Sequence, residues 1–247
     1  MTPNSTKDSG CTWTNPLEIK KPDLDPYYEG LTLTDLTCSE SGLHCVLIGN
    51  YQTTRINNDE TINELTQLAY TTLDGGSSWD IGGYHMSSHP LNEQETGPNI
   101  LIKIACEKLG KKCIAVGAGE YLTTKIQSEN YREESSVAIP YAYLSADGGK
   151  NWVRTSKISQ ELCMLQLMSL SCDNEAESCI ASGVRGYTQD DDKFDAIAYI
   201  TYDSGYSWQL IPIQPSEKNS FFTKIFCDTS SDICHIVGVN EQYFGNE

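Results

Sequence analysis

Of the ten cysteines in this chain of 247 residues, eight fall into pairs of one kind. Cys38 and Cys45, Cys106 and Cys113, Cys172 and Cys179, and Cys227 and Cys234 each enclose six residues. In every copy an apolar residue stands two before the first cysteine, and a glycine (Gly49, Gly117, Gly183, Gly238) stands four after the second. Thiols at such spacing can staple a hairpin, remain reduced in a core, or hold a metal. Metal sites favour closer spacing and four converging ligands, whereas pairs repeated at one fixed gap read as disulfides. As staples each closes an eight-residue loop, and the chain-entropy estimate gives roughly 2 to 3 kcal/mol per loop. Cys11 and Cys163 lie outside the pattern and either pair with each other or stay free.

Other candidates for chemistry are sparser. His85 and His89 have metal-like spacing for a helix but sit in a loop-like stretch that ends at Pro90. His44 and His235 flank cysteines and read as turn-end residues rather than as partners in a Cys–His pair. Asp190, Asp191, Asp192 and Asp195 form an acidic run able to offer oxygens to Ca²⁺, yet the run lacks the glycine and distal glutamate of an EF-hand loop. It reads as a solvated loop. Carboxylate pairs for glycoside hydrolysis are not singled out among 34 acidic residues. No cofactor is expected.

A second repeat shows which elements carry these residues. The octet 6–13, with Asp8 and Trp13, fits S/T-x-D-x-G-x-S/T-W. It returns at 72–79 with Asp74 and Trp79, at 145–152 with Asp147 and Trp152, and at 201–208 with Asp203 and Trp208; Asn151 replaces the hydroxyl residue in the third copy. An Asp that can accept backbone N–H groups, a glycine suited to positive φ and an aromatic cover make a hairpin turn. Three copies follow strand-like runs: 65–71, 139–144 and 196–201.

Each unit thus predicts four strands. Strand A enters the first cysteine (31–38, 100–106, 165–172, 221–227), B leaves the second, C runs into the Asp turn and D leaves through Trp. The tryptophans are spaced by 66, 73 and 56 residues. Four antiparallel strands at such a period describe a propeller blade, which needs neighbours to bury its faces. The fold class expected is all-β, one propeller domain over 1–247 with about four blades visible. Either a shared terminal blade closes it or it is a piece of a longer propeller.

The octet resembles the Asp-box, or bacterial neuraminidase repeat, of sialidases, sortilin-type receptors, some glycoside hydrolases and photosystem II assembly-factor propellers. The resemblance covers nearly the whole chain and implies the fold, with the box at the blade periphery. For sialidases it also implies three converging arginines, a Tyr–Glu pair and an acidic general acid/base. Only Arg55, Arg132, Arg154 and Arg185 exist here, and Ala138-Ile139-Pro140 lacks the arginine of the Arg-Ile-Pro signature. The function expected is therefore a non-catalytic binding or scaffold propeller presenting loops to a protein or glycan. A sialidase-like or other glycan-active hydrolase, or a fragment of one, is the alternative. Candidate binding residues are Tyr51, Tyr121, Tyr187 and Tyr243, one after each B-strand glycine, where rings would circle the mouth.

A formal charge of -17 argues against nucleic acid and anionic membranes as partners. No stretch approaches the roughly 20 apolar residues of a spanning helix, and the N-terminus lacks the regions of a signal peptide. Paired cysteines nevertheless predict an exported protein, periplasmic or secreted, and the two observations agree if a leader has been removed. Intact-mass measurement without reductant is expected to find the eight paired thiols oxidised; ten free thiols would overturn the assignment to an oxidising compartment.

Overall fold

The computed structural model describes residues 28–57, 60–82, 100–128, 131–158, 164–186, 194–212, 220–228 and 233–240. All regular structure in them is antiparallel β. The first sheet runs β1 (Tyr28–Cys38), β2 (Cys45–Asn57), β3 (Glu60–Thr72) and β4 (Asp80–Gly82), in that order. The second is β5 (Ile100–Cys106), β6 (Cys113–Ser128), β7 (Tyr131–Ser145) and β8 (Val153–Lys157). The third is β9 (Met164–Cys172), β10 (Cys179–Gly186), β11 (Phe194–Thr201) and β12 (Gln209–Leu210). A fourth contains β13 (Ser220–Cys227) and β14 (Cys234–Asn240).

Both faces of an inner strand are apolar, so each sheet needs a neighbour on either side. Alternate residues of one strand accordingly enter different cores. Val46, Ile48 and Ala69 meet Leu101, Ile104, Ala115 and Tyr141 between the first and second sheets. Ile114, Val116 and Ala142 meet Leu167, Leu170, Ala181 and Tyr199 between the second and third. Ile180 and Ala198 meet Ile225 and Cys227 between the third and fourth. The sheets therefore pack in chain order.

The glycine four after each second cysteine now has a reason. Strand A carries one extra residue at the same place in every unit: Thr34, Ile102, Met168 and Thr223, each four before the first cysteine. Opposite this bulge the A strand swings its backbone over the glycine. A Cβ at Gly49, Gly117, Gly183 or Gly238 would strike the carbonyl of Thr32, Ile100, Gln166 or Phe221 respectively. Space, not φ, excludes a side chain there.

The strand expectations hold for the A strands to within a few residues, but the C strands were read too short. β3 begins at Glu60 and β7 at Tyr131, well before the expected 65 and 139. Polar runs such as Glu133-Glu134-Ser135-Ser136 hid the extension.

Gly117→Ala is expected to destabilise the protein by about 1–3 kcal/mol through the clash with the Ile100 carbonyl. Gly30→Ala, where nothing lies within 4 Å of the added carbon, serves as the control in urea unfolding.

Candidate functional site

Strands A and B join, and C and D join, at the same end of each of the first three sheets, because the second cysteine pairs with the octet's first residue. The pairs are Cys45 with Thr72, Cys113 with Ser145, and Cys179 with Thr201. Disulfides and Asp turns consequently share one end, and the B to C connections occupy the other.

All four cysteine pairs are disulfides across paired strands, each with Cα atoms 4.0 Å apart. A second clasp, missed in the sequence, is the residue that follows the first cysteine. Asp173 accepts the N–H groups of Glu175, Glu177 and Ser178 at 3.1, 3.0 and 3.0 Å. Glu107 accepts those of Lys111 and Lys112 at 3.2 and 3.0 Å, the Ser39 hydroxyl accepts the N–H of His44 at 3.3 Å, and Asp228 accepts that of Ile233 at 3.4 Å. The recurring Ser/Glu/Asp/Asp at this position was the available signal. Such a short polar side chain bonding nearby backbone closes a turn that has too few carbonyls of its own.

The Asp turns are built alike. Thr72 Oγ1 donates to Asp74 Oδ1 at 2.7 Å and accepts the Gly76 N–H at 3.0 Å, while Ser78 donates both N–H and hydroxyl to the Asp74 carboxylate at 2.8 and 2.7 Å. Asp147 is held by Ser145 and by the N–H and side chain of Asn151. Asp203 is held by Thr201 and Ser207 in the same way. Asn at 151 therefore does the work of the usual hydroxyl. The two residues after each Asp take positive φ, at 68° and 88° for Gly75 and Gly76 and at 63° and 86° for Ser204 and Gly205. Trp152 and Trp208 close their turns with indole N–H bonds of 2.9 and 3.2 Å to Gly149 and Gly205 carbonyls.

These turns also touch one another. The Glu40 N–H donates to the Lys108 carbonyl, and the Lys108 N–H to the Asn174 carbonyl, which links the A to B turns of three sheets in series. Lys108 pairs with Glu40 at 2.8 Å and Lys112 with Glu177 at 3.9 Å. His44 is a wedge rather than an exposed turn end: its Nε2 lies 3.1 Å from the Gly148 carbonyl, and its ring fills the space beside Gly110 and Gly148. His235 is exposed.

At the opposite end the expected ring of tyrosines is not assembled from Tyr51. That residue is 4 % exposed, packed with Leu47, Leu68 and Tyr70; two residues past the glycine the strand still runs inside the sheet. The side chain of Tyr121, and Tyr187 and Tyr243, lie outside the described residues, as do Asp8, Cys11, Trp13, His85, His89, Cys163 and Asp190 to Asp192. Arg185 reaches Asp195 at 3.8 Å. Arg154 lies on β8 with its guanidinium carbon 3.4 Å from the Tyr141 ring centroid, and the side chains of Arg55 and Arg132 lie outside the described set. Arg154 stands on the second sheet and Arg185 on the third. Among the described residues no group of three metal-ligating side chains and no membrane-crossing helix is present. Four disulfides fit an extracellular or periplasmic protein.

No protein-family model and no curated protein matches the chain. Among solved structures, an ancestral GH74 enzyme is similar at 12 % identity and a TM-score of 0.32, over 93 % of this chain and 39 % of that one. The GH74 xyloglucanase from Xanthomonas campestris is similar at 10 % identity and a TM-score of 0.25, over 82 % of this chain and 43 % of that one. The chain spans about two fifths of the length of either enzyme.

The Asp turns make a pH prediction. Hydrogen bonds from the Ser78 side chain and N–H, then from Thr72, lower Asp74 from its ordinary 3.8 to about 2. For Asp147 and Asp203 burial pushes upward, but the bonds from Asn151 and Ser145, and from Ser207 and Thr201, together outweigh it and lower both. A depressed folded-state value means the stabilisation is complete above the unfolded value and is lost as pH falls through the folded one. The melting temperature is expected to drop between about pH 4 and pH 2, and the triple variant Asp74→Asn, Asp147→Asn, Asp203→Asn to show a flatter acid limb.

Proposed function

We propose that this chain is an Asp-box β-propeller acting as a non-catalytic binding or scaffold module, which engages a protein or glycan through the connections at its B to C end. One observation carries the reading. Among the described residues β5 accompanies β6 as far as Ala118, while β6 and β7 stay paired to Ser128 and Tyr131. Among the described residues, 119–128 and their partners form a two-stranded ribbon, about 30 Å long at ~3.3 Å per residue. Among the described residues β2 and β3 likewise stay paired past the Tyr28–Thr53 pair of β1, to Asn57 and Glu60.

A two-stranded hairpin alone is marginally stable in water. This one extends from a sheet already fixed by a disulfide and an Asp turn, and offers a partner a long paired edge to contact. The clasped end supports the same division of labour: the carboxylates of Asp74, Glu107, Asp147, Asp173, Asp203 and Asp228 are engaged by turn N–H and hydroxyl groups and serve geometry. The Asp-box reading rests on the four octets, and the propeller reading on the packing of the sheets in chain order.

The experiment is a variant in which residues 121–137 are replaced by Asn-Gly, screened with the native chain on glycan and peptide arrays. The native chain is expected to bind and the shortened one to lose at least tenfold in affinity with an unchanged melting temperature. Binding that survives the deletion, or hydrolysis of xyloglucan by the purified native chain, would overturn the proposal.

A further inference from the structure

Alternation along a strand assigns each position of the two ribbons to one of two faces. In the first sheet Val46, Ile48 and Ala69 pack on the second sheet, and in the second Ala115, Ile139 and Tyr141 pack on the first. We call these the seam faces. On the first sheet the last rung of the seam face with described side chains is polar. Asn50 exchanges two hydrogen bonds with the backbone of Leu101, and its cross-strand neighbour Gln67 donates from Nε2 to the Tyr143 hydroxyl at 3.1 Å. Gln67 is 2 % exposed, yet its Oε1 has no hydrogen-bond partner among the described residues. A buried acceptor without a donor is costly, and this one lies where the apolar core gives way to the ribbons.

Past that rung the backbone pairing carries both seam faces outward. β2 and β3 continue through the pairs Gln52–Leu65, Thr54–Asn63 and Ile56–Thr61. β6 and β7 continue through Tyr121–Val137, Thr123–Ser135 and Lys125–Glu133, and their register shifts only beyond Ile126. Charge is sorted between the faces. The far faces take Arg55, Glu60 and Glu64 on the first ribbon and Glu120, Arg132 and Glu134 on the second. The seam face of the first ribbon takes no charged residue, and that of the second takes one lysine directly opposite one glutamate. In a chain of net charge -17, both seam faces are neutral and rich in hydroxyl and amide residues.

We infer that the seam faces of the two ribbons together form a binding site, and that its ligand is a neutral glycan. The inference rests on the binding role proposed for the ribbons and adds to it a ligand class and a face. Threonine and serine hydroxyls, and glutamine and asparagine amides, each donate and accept, which matches a ligand that presents hydroxyls on every side. Tyr121 adds an aromatic surface suited to the C–H face of a sugar ring, and Gln67 Oε1 is a further acceptor at the base. An anionic glycan would need a cation, and Lys125 stands opposite Glu133. Protein interfaces draw their energy largely from Trp, Tyr and Arg anchors, and neither Trp nor Arg occurs on the ribbon parts of the seam faces.

The full-length protein is titrated calorimetrically with hexasaccharides of β-glucan, mannan and galactan, and with hexagalacturonate as the acidic counterpart. At least one neutral hexasaccharide is expected to bind, with an affinity that changes less than twofold between about 0.05 and about 0.5 M NaCl, since an uncharged ligand offers salt nothing to screen. Asn63→Glu and Thr123→Glu, on the seam faces, are each expected to cost at least tenfold. Ile62→Glu, on the far face opposite Arg55, is expected to stay within twofold of the native affinity. Should a seam-face glutamate lower the melting temperature, Thr123→Val is the second variant, expected to lose at least threefold. Tighter binding of hexagalacturonate, equal losses from Asn63→Glu and Ile62→Glu, or no binding of any neutral hexasaccharide overturns the inference. If arrayed peptides bind the native chain and the variant shortened over 121–137 loses them, the binding role of the ribbons stands and the glycan assignment alone fails.

Discussion

A β-sheet with apolar side chains on both faces cannot end at water on either side, and the architecture of this protein follows from that. Ile48, Val116 and Ala198 face the next sheet in chain order while Leu47, Ala115 and Ile197 face the other way, and each set needs a cover. Burying apolar surface on both sides yields roughly 25 cal/mol per Å², but only if sheets approach closely and in one orientation. A four-stranded unit thus has no stable form alone. It gains one by repetition, in which every sheet is both a cover and a covered surface.

Orientation comes from polar contacts at the inner strand. A strand at a sheet edge leaves N–H and C=O groups unpaired, and here the preceding sheet meets part of that demand. Asn50 bonds both the N–H and the carbonyl of Leu101, at 2.9 and 3.0 Å, and Asp35 accepts the Ile104 N–H at 3.0 Å. Ser169 and Ser171 accept the N–H groups of Ile225 and Cys227, both at 3.0 Å. Buried polar groups left without such partners cost about 1–3 kcal/mol each, so these contacts fix the register between sheets where apolar packing alone would tolerate sliding. The linked turns at the clasped end repeat the constraint at the periphery.

Legibility in the sequence followed repetition. Among the described residues the A strands and the cysteine hairpins recur four times and the Asp turns three times, and their positions could be read to within a few residues. The glycine after each second cysteine was visible as a pattern but not as a cause, because the bulge that demands it lies on the opposing strand and changes no residue type. The carboxylate after the first cysteine was overlooked because Ser39 breaks the acidic series. Tyr51 was misassigned for a different reason: alternation fixes which face a ring takes only when the strand's end is known, and β2 runs on past it to Asn57. His44 gave no sign of its place against Gly110 and Gly148, since a contact between sheets leaves no trace in spacing along one chain.

The acidic composition also takes on another meaning. Seven carboxylates among the described residues, those of Asp35, Asp74, Glu107, Asp147, Asp173, Asp203 and Asp228, accept backbone N–H groups. Asp35 joins two sheets; the other six are present because a side chain with two acceptor oxygens closes a turn of this kind, and the repeat multiplies the need. Part of the -17 charge is therefore a by-product of building hairpins, not a surface selected to meet a basic partner. Surface pairs such as Lys108–Glu40 return little stability individually. Net charge still disfavours phosphate backbones, but the choice of partner must come from residues free of these structural duties, and the clasped end, where most of the seven are gathered, has few to spare.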